Sequence, residues 1–314
     1  MNLSIIVPLY NEEDNVEPMF NAIYEAIEPC GVKYEVLFVD DGSKDGTFAR
    51  AKKLAEKYSQ LRVIKFRRNY GQTPAMAAGI DYAKNEIIIT MDGDLQNDPR
   101  DIPYFLDKIK EGYDIVVGWR HKRQDKLLTR KIPSKIANWI IGKVTGVHIK
   151  DNGCSLKAYK ASIIKNIPLY SEMHRFIPAM ASLAGTKVAE IKVRHHARQF
   201  GVSKYGLSRI YKVLLDLLTI KAIVSFASRP MLWFSILAIP LVLLALVTTA
   251  MFFIALFSGE VSSLVVMSSM AVIFFASFFF LIMCGALGEL IYKTGDSKIE
   301  KLALLTIKDI ILKE

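Results

Sequence analysis

Cysteine is scarce in this chain. Three occur in 314 residues, at Cys30, Cys154 and Cys284, far apart and never as a CxxC pair. That spacing excludes a disulfide framework and a cysteine-built zinc site, and it suits a reduced compartment. The glycine loops that cradle phosphates are missing as well, since neither G-x-x-x-x-G-K-[ST] nor G-x-G-x-x-G occurs. There is no internal repeat and no low-complexity segment. The apolar stretch at residues 3–9 has no basic leader and is too short for a secretory signal, so it reads as a strand.

Charge is missing from two long stretches. Residues 231–257 carry none; Ser258, Gly259 and Glu260 interrupt, and a second uncharged run covers 261–288. About 20 apolar residues cross a bilayer, so each run is long enough with some tilt. Core helices of a soluble protein are the competing reading, but they seldom run so far without a charge. Two spans joined by a three-residue link form a hairpin, which puts both flanks on one side of the membrane. Lys212, Lys221 and Arg229 precede the hairpin, and Lys293 and Lys298 follow it. Short flanks rich in Lys and Arg stay cytoplasmic. An integral protein of the cell inner membrane is expected, with the preceding domain in the cytoplasm. The net charge of +10 would by itself suit nucleic acid. Beside two spans, an anionic membrane surface or a phosphorylated ligand explains it better, and no nucleic-acid partner is expected.

Before the hairpin the chain alternates strand and helix patterns. Strands are predicted at 3–8, 34–39, 61–66 and 86–91, and helices over 16–27, 47–58 and 74–83. Val16, Met19, Phe20, Ile23 and Ile27 recur at helical spacing, ended by Pro29 and Gly31. Alternation of this kind implies an α/β fold with a parallel sheet covered on both faces. Ligands of such sheets bind beyond the carboxyl ends of the strands. Three polar clusters fall there: Tyr10–Asn11–Glu12–Glu13, Asp40–Asp41–Gly42–Ser43 and Asp92–Gly93–Asp94. One Asp-Gly after a strand is usually a turn, but three acidic clusters on one edge indicate a shared ligand. A nucleotide is the natural candidate. Carboxylates cannot hold a diphosphate directly, so a divalent cation, Mg²⁺ or Mn²⁺, must bridge them.

These residues match a known pattern. Pro8–Leu9–Tyr10–Asn11–Glu12–Glu13, Asp40–Asp41–Gly42–Ser43 and Asp92–Gly93–Asp94–Leu95–Gln96 together resemble the inverting glycosyltransferases of the glycosyltransferase A (Rossmann-like) fold. With two C-terminal spans, the chain resembles the polyisoprenyl-phosphate glycosyltransferases, the group of dolichyl-phosphate mannose synthase, whose bacterial members load glucose or aminoarabinose onto undecaprenyl phosphate. The string Asp151–Asn152–Gly153–Cys154–Ser155–Leu156–Lys157–Ala158–Tyr159 looks most like the aminoarabinose branch. Some glucosyltransferases of the group carry Asp where this chain has Cys154, so a catalytic role there does not transfer.

The resemblance implies site roles. Asp40 and Asp41 would face the base and ribose of a nucleotide-sugar, with Pro8, Tyr10 and Glu12 as the other wall. Asp94 with Gln96 would hold the metal, and Asp92 would support the ribose or the metal shell. Asp98–Pro99 reads simply as the start of the next helix. Arg120 and Arg130 resemble positions used for the acceptor phosphate, and Ser134 lies four residues after Arg130, on the same helix face. Asp151 is a candidate base or orienting group. Arg198, Gly201, Ser203 and Lys204 match an Arg-x-x-Gly-x-Ser/Thr-Lys motif expected to close over the diphosphate. A basic loop lying on lipid headgroups is the plainer reading of that last segment. His195 and His196 are adjacent and lack a cysteine partner, which argues against zinc.

Four regions are therefore expected: a cytoplasmic glycosyltransferase domain at 1–206, an interfacial helix region at 207–228, two transmembrane helices at 229–292, and an amphipathic helix at 293–314. The expected reaction moves a sugar from a nucleotide-sugar, a UDP-sugar before a GDP-sugar, to polyprenyl phosphate with inversion. A processive polysaccharide synthase would normally show a Gln-x-x-Arg-Trp motif and more spans, neither of which is present. A non-catalytic sugar-nucleotide-binding subunit would be expected to lose the second metal carboxylate, yet Asp94 is retained. Hairpins of this kind often pack between protomers in the family, which leaves a homo-oligomer open.

Overall fold

The computed structural model describes residues 1–121, 142, 149–167, 169, 173–182, 185–197, 229–259 and 261–294. They fall into two units, one from the described residues up to 197 and one from residues 229–294. The expected interfacial region at 207–228 lies outside the described residues, as does nearly all of the C-terminal helix expected at 293–314.

The first unit is built on strands β1 (Leu3–Leu9), β2 (Tyr34–Asp40), β3 (Leu61–Lys65), β4 (Ile87–Thr90), β5 (Ile115–Trp119), β6 (Lys157–Lys160) and β7 (Val188–Lys192). Helices α1 (Val16–Ile27), α2 (Thr47–Lys57), α3 (Gln72–Tyr82) and α4 (Ile102–Lys110) intervene, followed by the short α5 (Ala161–Ile164) and α6 (Ile177–Ser182). The strands join in the order β3-β2-β1-β4-β6-β5-β7. β1 and β2 are almost continuously apolar and buried, as strands covered on both faces must be. Under β1, the ring of Phe20 meets Phe38 edge-on at 6.4 Å and Tyr58 at 4.6 Å. Each such fully buried aromatic or aliphatic side chain contributes about 1.5–3 kcal/mol.

The first four strands are parallel, as expected. The sheet as a whole is mixed, because β6 runs against both β4 and β5. Val117 near the end of β5 pairs with Lys157 at the start of β6. The chain thus re-enters the sheet at the edge it left, which forces an antiparallel strand.

The strand order reverses at β1, whose neighbours are β2 on one side and β4 on the other. Ladder pairing of β1 with β4 ends at Ile6–Thr90, whereas pairing with β2 continues to Leu9–Asp40. Pro8, which has no N–H to donate, sits beyond the split, where the ladder with β4 has ended. Strands that part at a reversal point open a crevice, the usual ligand position in this architecture.

The second unit is a helical hairpin of α7 (Pro230–Ser258) and α8 (Val261–Thr294). At 1.5 Å per residue, 29 residues extend about 44 Å, beyond the ~30 Å of a hydrocarbon core. Mean hydropathy over the best window is 2.6 and 2.5, and only 11% and 6% of those windows is buried. These are not core helices of a soluble fold: their large apolar side chains face outward, while Ala238, Ala245, Ala255 and Ala271 are covered. A Cβ on Gly285 would stand 2.9 Å from Phe234 Cβ, and one on Gly288 would stand 3.0 Å from Pro230 Cβ. Small residues let the two backbones approach closely, which is how apolar helices associate without a hydrophobic driving force.

Candidate active site

The loops after β1 and β2 are tied together by side chains that bond to backbone. Asn11 takes φ +50°, a conformation Asn tolerates better than most residues. Its N–H donates to Ser43 Oγ at 2.9 Å, and its Oδ1 accepts from Lys44 N at 2.9 Å. Glu12 N donates to Thr47 Oγ1 at 2.9 Å, and Gly46 N donates to the Glu13 carboxylate at 2.9 Å. The Glu12 carboxylate accepts from Asn15 Nδ2 at 2.5 Å. Gly42 allows the turn: its φ is +68°, and a Cβ there would overlap the backbone of Arg68 at 2.3 Å.

Asp40 and Asp41, expected to share the base and ribose pocket, are used differently. Both are buried. Asp41 accepts from Asn69 Nδ2 at 2.9 Å, Tyr70 N at 2.7 Å and Gly71 N at 2.8 Å, so both its oxygens hold the turn into α3. Burial raises its pKa; the two backbone N–H groups oppose that rise and the neighbouring Asp40 charge adds to it. Asp40 accepts from Ser43 N at 3.1 Å through Oδ1, while its buried Oδ2 has no hydrogen-bond partner among the described residues. A buried polar atom left without a partner is costly in a finished fold, so Asp40 is the carboxylate of the two with capacity to spare.

The loop after β4 is pressed against the end of β1. A Cβ on Gly93 would lie 2.3 Å from Leu9 Cδ2 and 3.2 Å from Pro8 O, so any larger residue would have to displace the Leu9 side chain. Asp92 N donates to Ser155 Oγ at 3.1 Å, and the Asp92 carboxylate accepts from Gln72 Nε2 at 2.5 Å. The same Ser155 Oγ accepts from Asn97 Nδ2 at 2.8 Å, which anchors both ends of the loop to one oxygen. Between them Asp94 Oδ1 accepts from Gln96 N at 3.2 Å, and Leu95 is held at φ +58°. That left-handed conformation costs a branched residue about 1–2 kcal/mol. Gln72 belongs to no motif and Ser155 lies in the Asp151–Tyr159 string without an expected role, and only the fold reveals their contact with Asp92.

On the other side of β4, Arg120 and Asp151 form a two-point pair. Nε to Oδ2 is 2.7 Å, Nη2 to Oδ1 is 2.9 Å, and Arg120 N adds 3.3 Å to Oδ2. Burial works against the guanidinium charge, but the Asp151 carboxylate outweighs it and lifts the Arg120 pKa above its ordinary value. Behind the pair, Lys157 is buried and donates to Asn152 O at 3.2 Å and His174 O at 3.1 Å. Burial pushes its pKa down to about 8. Cys154 is fully enclosed, and burial pushes its thiol up to about 12, the setting of an inert cysteine rather than a nucleophile. Arg130, Ser134, Arg198, Ser203 and Lys204 lie outside the described residues.

The segment after β7 lies along the same loop. Asn97 and His195 form an antiparallel bridge, and His196 N donates to Gln96 O at 2.8 Å. Asp98 caps the helical turn Pro99–Asp101, the helix start expected from Asp98–Pro99, and accepts from Arg100 N at 3.0 Å. Its carboxylate also meets the Arg100 side chain at 2.7 Å and His196 Nε2 at 3.2 Å. Burial raises its pKa, but these donors and nearby Arg194 outweigh burial and set it well below the usual carboxylate range. Asp101 grips Arg194, accepting from its backbone N at 2.7 Å, Nε at 2.8 Å and Nη2 at 2.8 Å.

A largely parallel sheet with one reversed strand, and acidic loops gathered where β1 parts from β4, is the arrangement of a glycosyltransferase A enzyme. The comparisons agree. The model of glycosyl transferase family 2 matches residues 4–169. Over 250 residues the chain is 46% identical to dodecaprenyl-phosphate galacturonate synthase of Rhizobium johnstonii, covering 78% of this chain and 74% of that one. Over 218 residues it is 36% identical to undecaprenyl-phosphate 4-deoxy-4-formamido-L-arabinose transferase of Edwardsiella ictaluri, covering 69% and 67%. Glucosyl-3-phosphoglycerate synthase of Mycobacterium tuberculosis, solved with Mn²⁺ and uridine-diphosphate-glucose, superposes with a TM-score of 0.54 at 15% identity, covering 70% and 78%. Mannosyl-3-phosphoglycerate synthase of Rubrobacter xylanophilus does so with 0.55 at 15%, covering 71% and 74%. At that identity the structural likeness speaks for the fold. The chain belongs to glycosyl transferase family 2 and, within it, to the polyprenyl-phosphate glycosyltransferases.

Proposed function

We propose that this chain transfers a sugar from a nucleotide-sugar, a UDP-sugar before a GDP-sugar, to a polyprenyl phosphate, with inversion, at the cytoplasmic face of the inner membrane. The observation that carries the reading is the placement of Asp40 at the last position of β2, and of Asp92 and Asp94 on the loop after β4, beside the end of β1. The dodecaprenyl- and undecaprenyl-phosphate activities in the relatives' names support the acceptor. Uridine-diphosphate-glucose and Mn²⁺ in the Mycobacterium synthase support the donor and the cation.

The residues fit a divalent cation. Asp92, Asp94 and Gln96 place hard oxygen donors on one short loop. Mg²⁺ and Mn²⁺ need only one or two protein carboxylates, their shell being completed by water and substrate phosphates. When bound, the cation offsets charge that builds on the departing nucleoside diphosphate.

The chain's own groups then have distinct tasks. Pro8, Tyr10 and Glu12 wall the nucleoside pocket, and the spare oxygen of Asp40 receives a donor from base or ribose. Asp41 holds the pocket's rim through Asn69, Tyr70 and Gly71. Arg130 and Ser134 align the acceptor phosphate, while Arg198, Ser203 and Lys204 close over the diphosphate. A phosphate monoester has its second pKa near ~6 and is mostly dianionic at neutral pH, so it needs little help from a base. Asp151 is therefore an orienting group, acting through Arg120 beside the acceptor phosphate, and alignment is the main contribution of this side. Residues 1–206 would form the catalytic domain, 207–228 and 293–314 interfacial helices, and 229–292 the membrane hairpin.

The test is direct. The purified full-length protein is incubated with undecaprenyl phosphate and radiolabelled UDP- and GDP-sugars, including UDP-galacturonate and UDP-4-deoxy-4-formamido-L-arabinose, with Mg²⁺ or Mn²⁺. A butanol-extractable product of inverted anomeric configuration is expected from one donor. No product from any donor would overturn the reading.

A further inference from the structure

The loop Asp94–Leu95–Gln96 is braced from outside by groups with no assigned role. Leu95 stays left-handed without being glycine. Its neighbours Gln96 and Asn97 pair with His195 and His196, through the Asn97–His195 bridge and the 2.8 Å bond from His196 N to Gln96 O. That partner segment is fixed in turn by two carboxylates on the turn that follows the loop. Asp101 takes three N–H groups of Arg194, and Asp98 takes His196 Nε2 at 3.2 Å and lies 3.6 Å from Arg194 Nε. Both carboxylates are almost fully enclosed, at 4% and 5% side-chain exposure, whereas Arg194 is 46% exposed. An acid so deeply enclosed and so fully bonded to one arginine sets a geometry, because moving that arginine would strand its charge.

We infer that Asp101 and Arg194, assisted by Asp98, are positioning residues that hold Asp94 and Gln96 in cation-binding geometry through the segment 194–197. The inference rests on the proposed assignment of a divalent cation to Asp94 and Gln96. The physical basis is general: groups that orient metal ligands without touching the metal set much of its affinity, and losing one typically costs about 10–100-fold. The segment also leads directly into Arg198. One clamp thus ties the cation loop to the start of the stretch proposed to close over the diphosphate.

The experiment measures Mn²⁺ binding by isothermal titration to the full-length protein in detergent with saturating UDP, alongside thermal unfolding. Asp101→Asn and Arg194→Gln are expected to weaken Mn²⁺ binding about 10–100-fold. The control is Lys160→Met, which breaks an ion pair to Asp114 of 2.8 Å elsewhere on the sheet. It is expected to lower stability and leave Mn²⁺ affinity unchanged. If Asp101→Asn does not fold, the more exposed Arg194→Gln decides. Wild-type binding that is lost in Asp94→Ala yet unchanged in the clamp variants overturns this inference alone. Absence of Mn²⁺ binding to wild type with either UDP or GDP overturns the cation assignment and the inference with it.

Discussion

Arg120 and Asp151 meet in a fork-to-fork pair, 2.7 and 2.9 Å across, at the carboxyl end of β5. With both partners largely enclosed, the pair binds two loops into one surface and leaves Asp151 committed to a cation. Asp151→Asn should strand the guanidinium and destabilise the domain by about 3 kcal/mol, read as a lower midpoint in denaturant with an unchanged slope. If Asp151 were instead the proton acceptor, the variant would lose turnover with stability intact.

Cation removal should stop the reaction. EDTA and Asp94→Ala are each expected to lower kcat/KM by about 10³-fold, roughly 4 kcal/mol of transition-state stabilisation. Asp92→Asn should do less, because Gln72 and Ser155 still fix the loop around it. Equal losses in the two variants would merge their roles.

Thiol labelling should sort the cysteines by burial. Cys30 is exposed and Cys154 is sealed under Gly118, Asn97 and Leu156. A maleimide at pH 8 is expected to modify Cys30 within minutes and Cys154 only after unfolding. Mass spectrometry of peptides checks this, and rapid Cys154 labelling in the native protein would mean the β5–β6 region opens.

Lys157 gives a pH dependence of definite sign. Burial lowers its pKa from 10.5 to about 8, so between those values the unfolded chain binds more protons than the folded one. Stability from this group therefore rises with pH through that window, by up to about 3 kcal/mol. Below pH 8 the folded protein carries the cost of a buried charge. Denaturant titrations should show wild type gaining that amount relative to Lys157→Met between pH 8 and 10.5; a constant difference between the two would refute it.

Gly93→Ala should damage the site through packing alone. The added methyl meets Leu9 and Pro8, and relieving it means displacing the Leu9 side chain or moving the Asp92–Gln96 loop away from β1. About 1–3 kcal/mol of stability should be lost, with a larger fall in kcat/KM than in binding of UDP alone. Gly112→Ala, where nothing lies within 4 Å but φ is +95°, should cost stability only.

Much of this was legible beforehand because it is local. Strand and helix patterns through residue 91 agree with the structure to within about two residues at each end. The predicted start at 74 fell late because Asp41 caps the turn at Tyr70 and Gly71, a contact 29 residues away in sequence that lets α3 begin at Gln72. β6 was not anticipated: four residues with lysine at both ends carry no strand signal, and only β4 and β5 on either side make Lys157–Lys160 a strand. The clamp of Asp101 on Arg194 was equally hidden, since it joins residues 93 apart.

Hard oxygen donors at strand ends, the lack of a phosphate-cradling glycine loop, and two uncharged runs with a basic approach can all be read along the chain. Residue type and short-range periodicity are sufficient for that. Tertiary structure alone decided which carboxylates have capacity for a ligand. It turned Asp41 inward onto α3, paired Asp151 with Arg120, and left an oxygen of Asp40 with no hydrogen-bond partner among the described residues. A carboxylate's availability depends on which donors folding brings within 3 Å, and those donors come from anywhere in the chain.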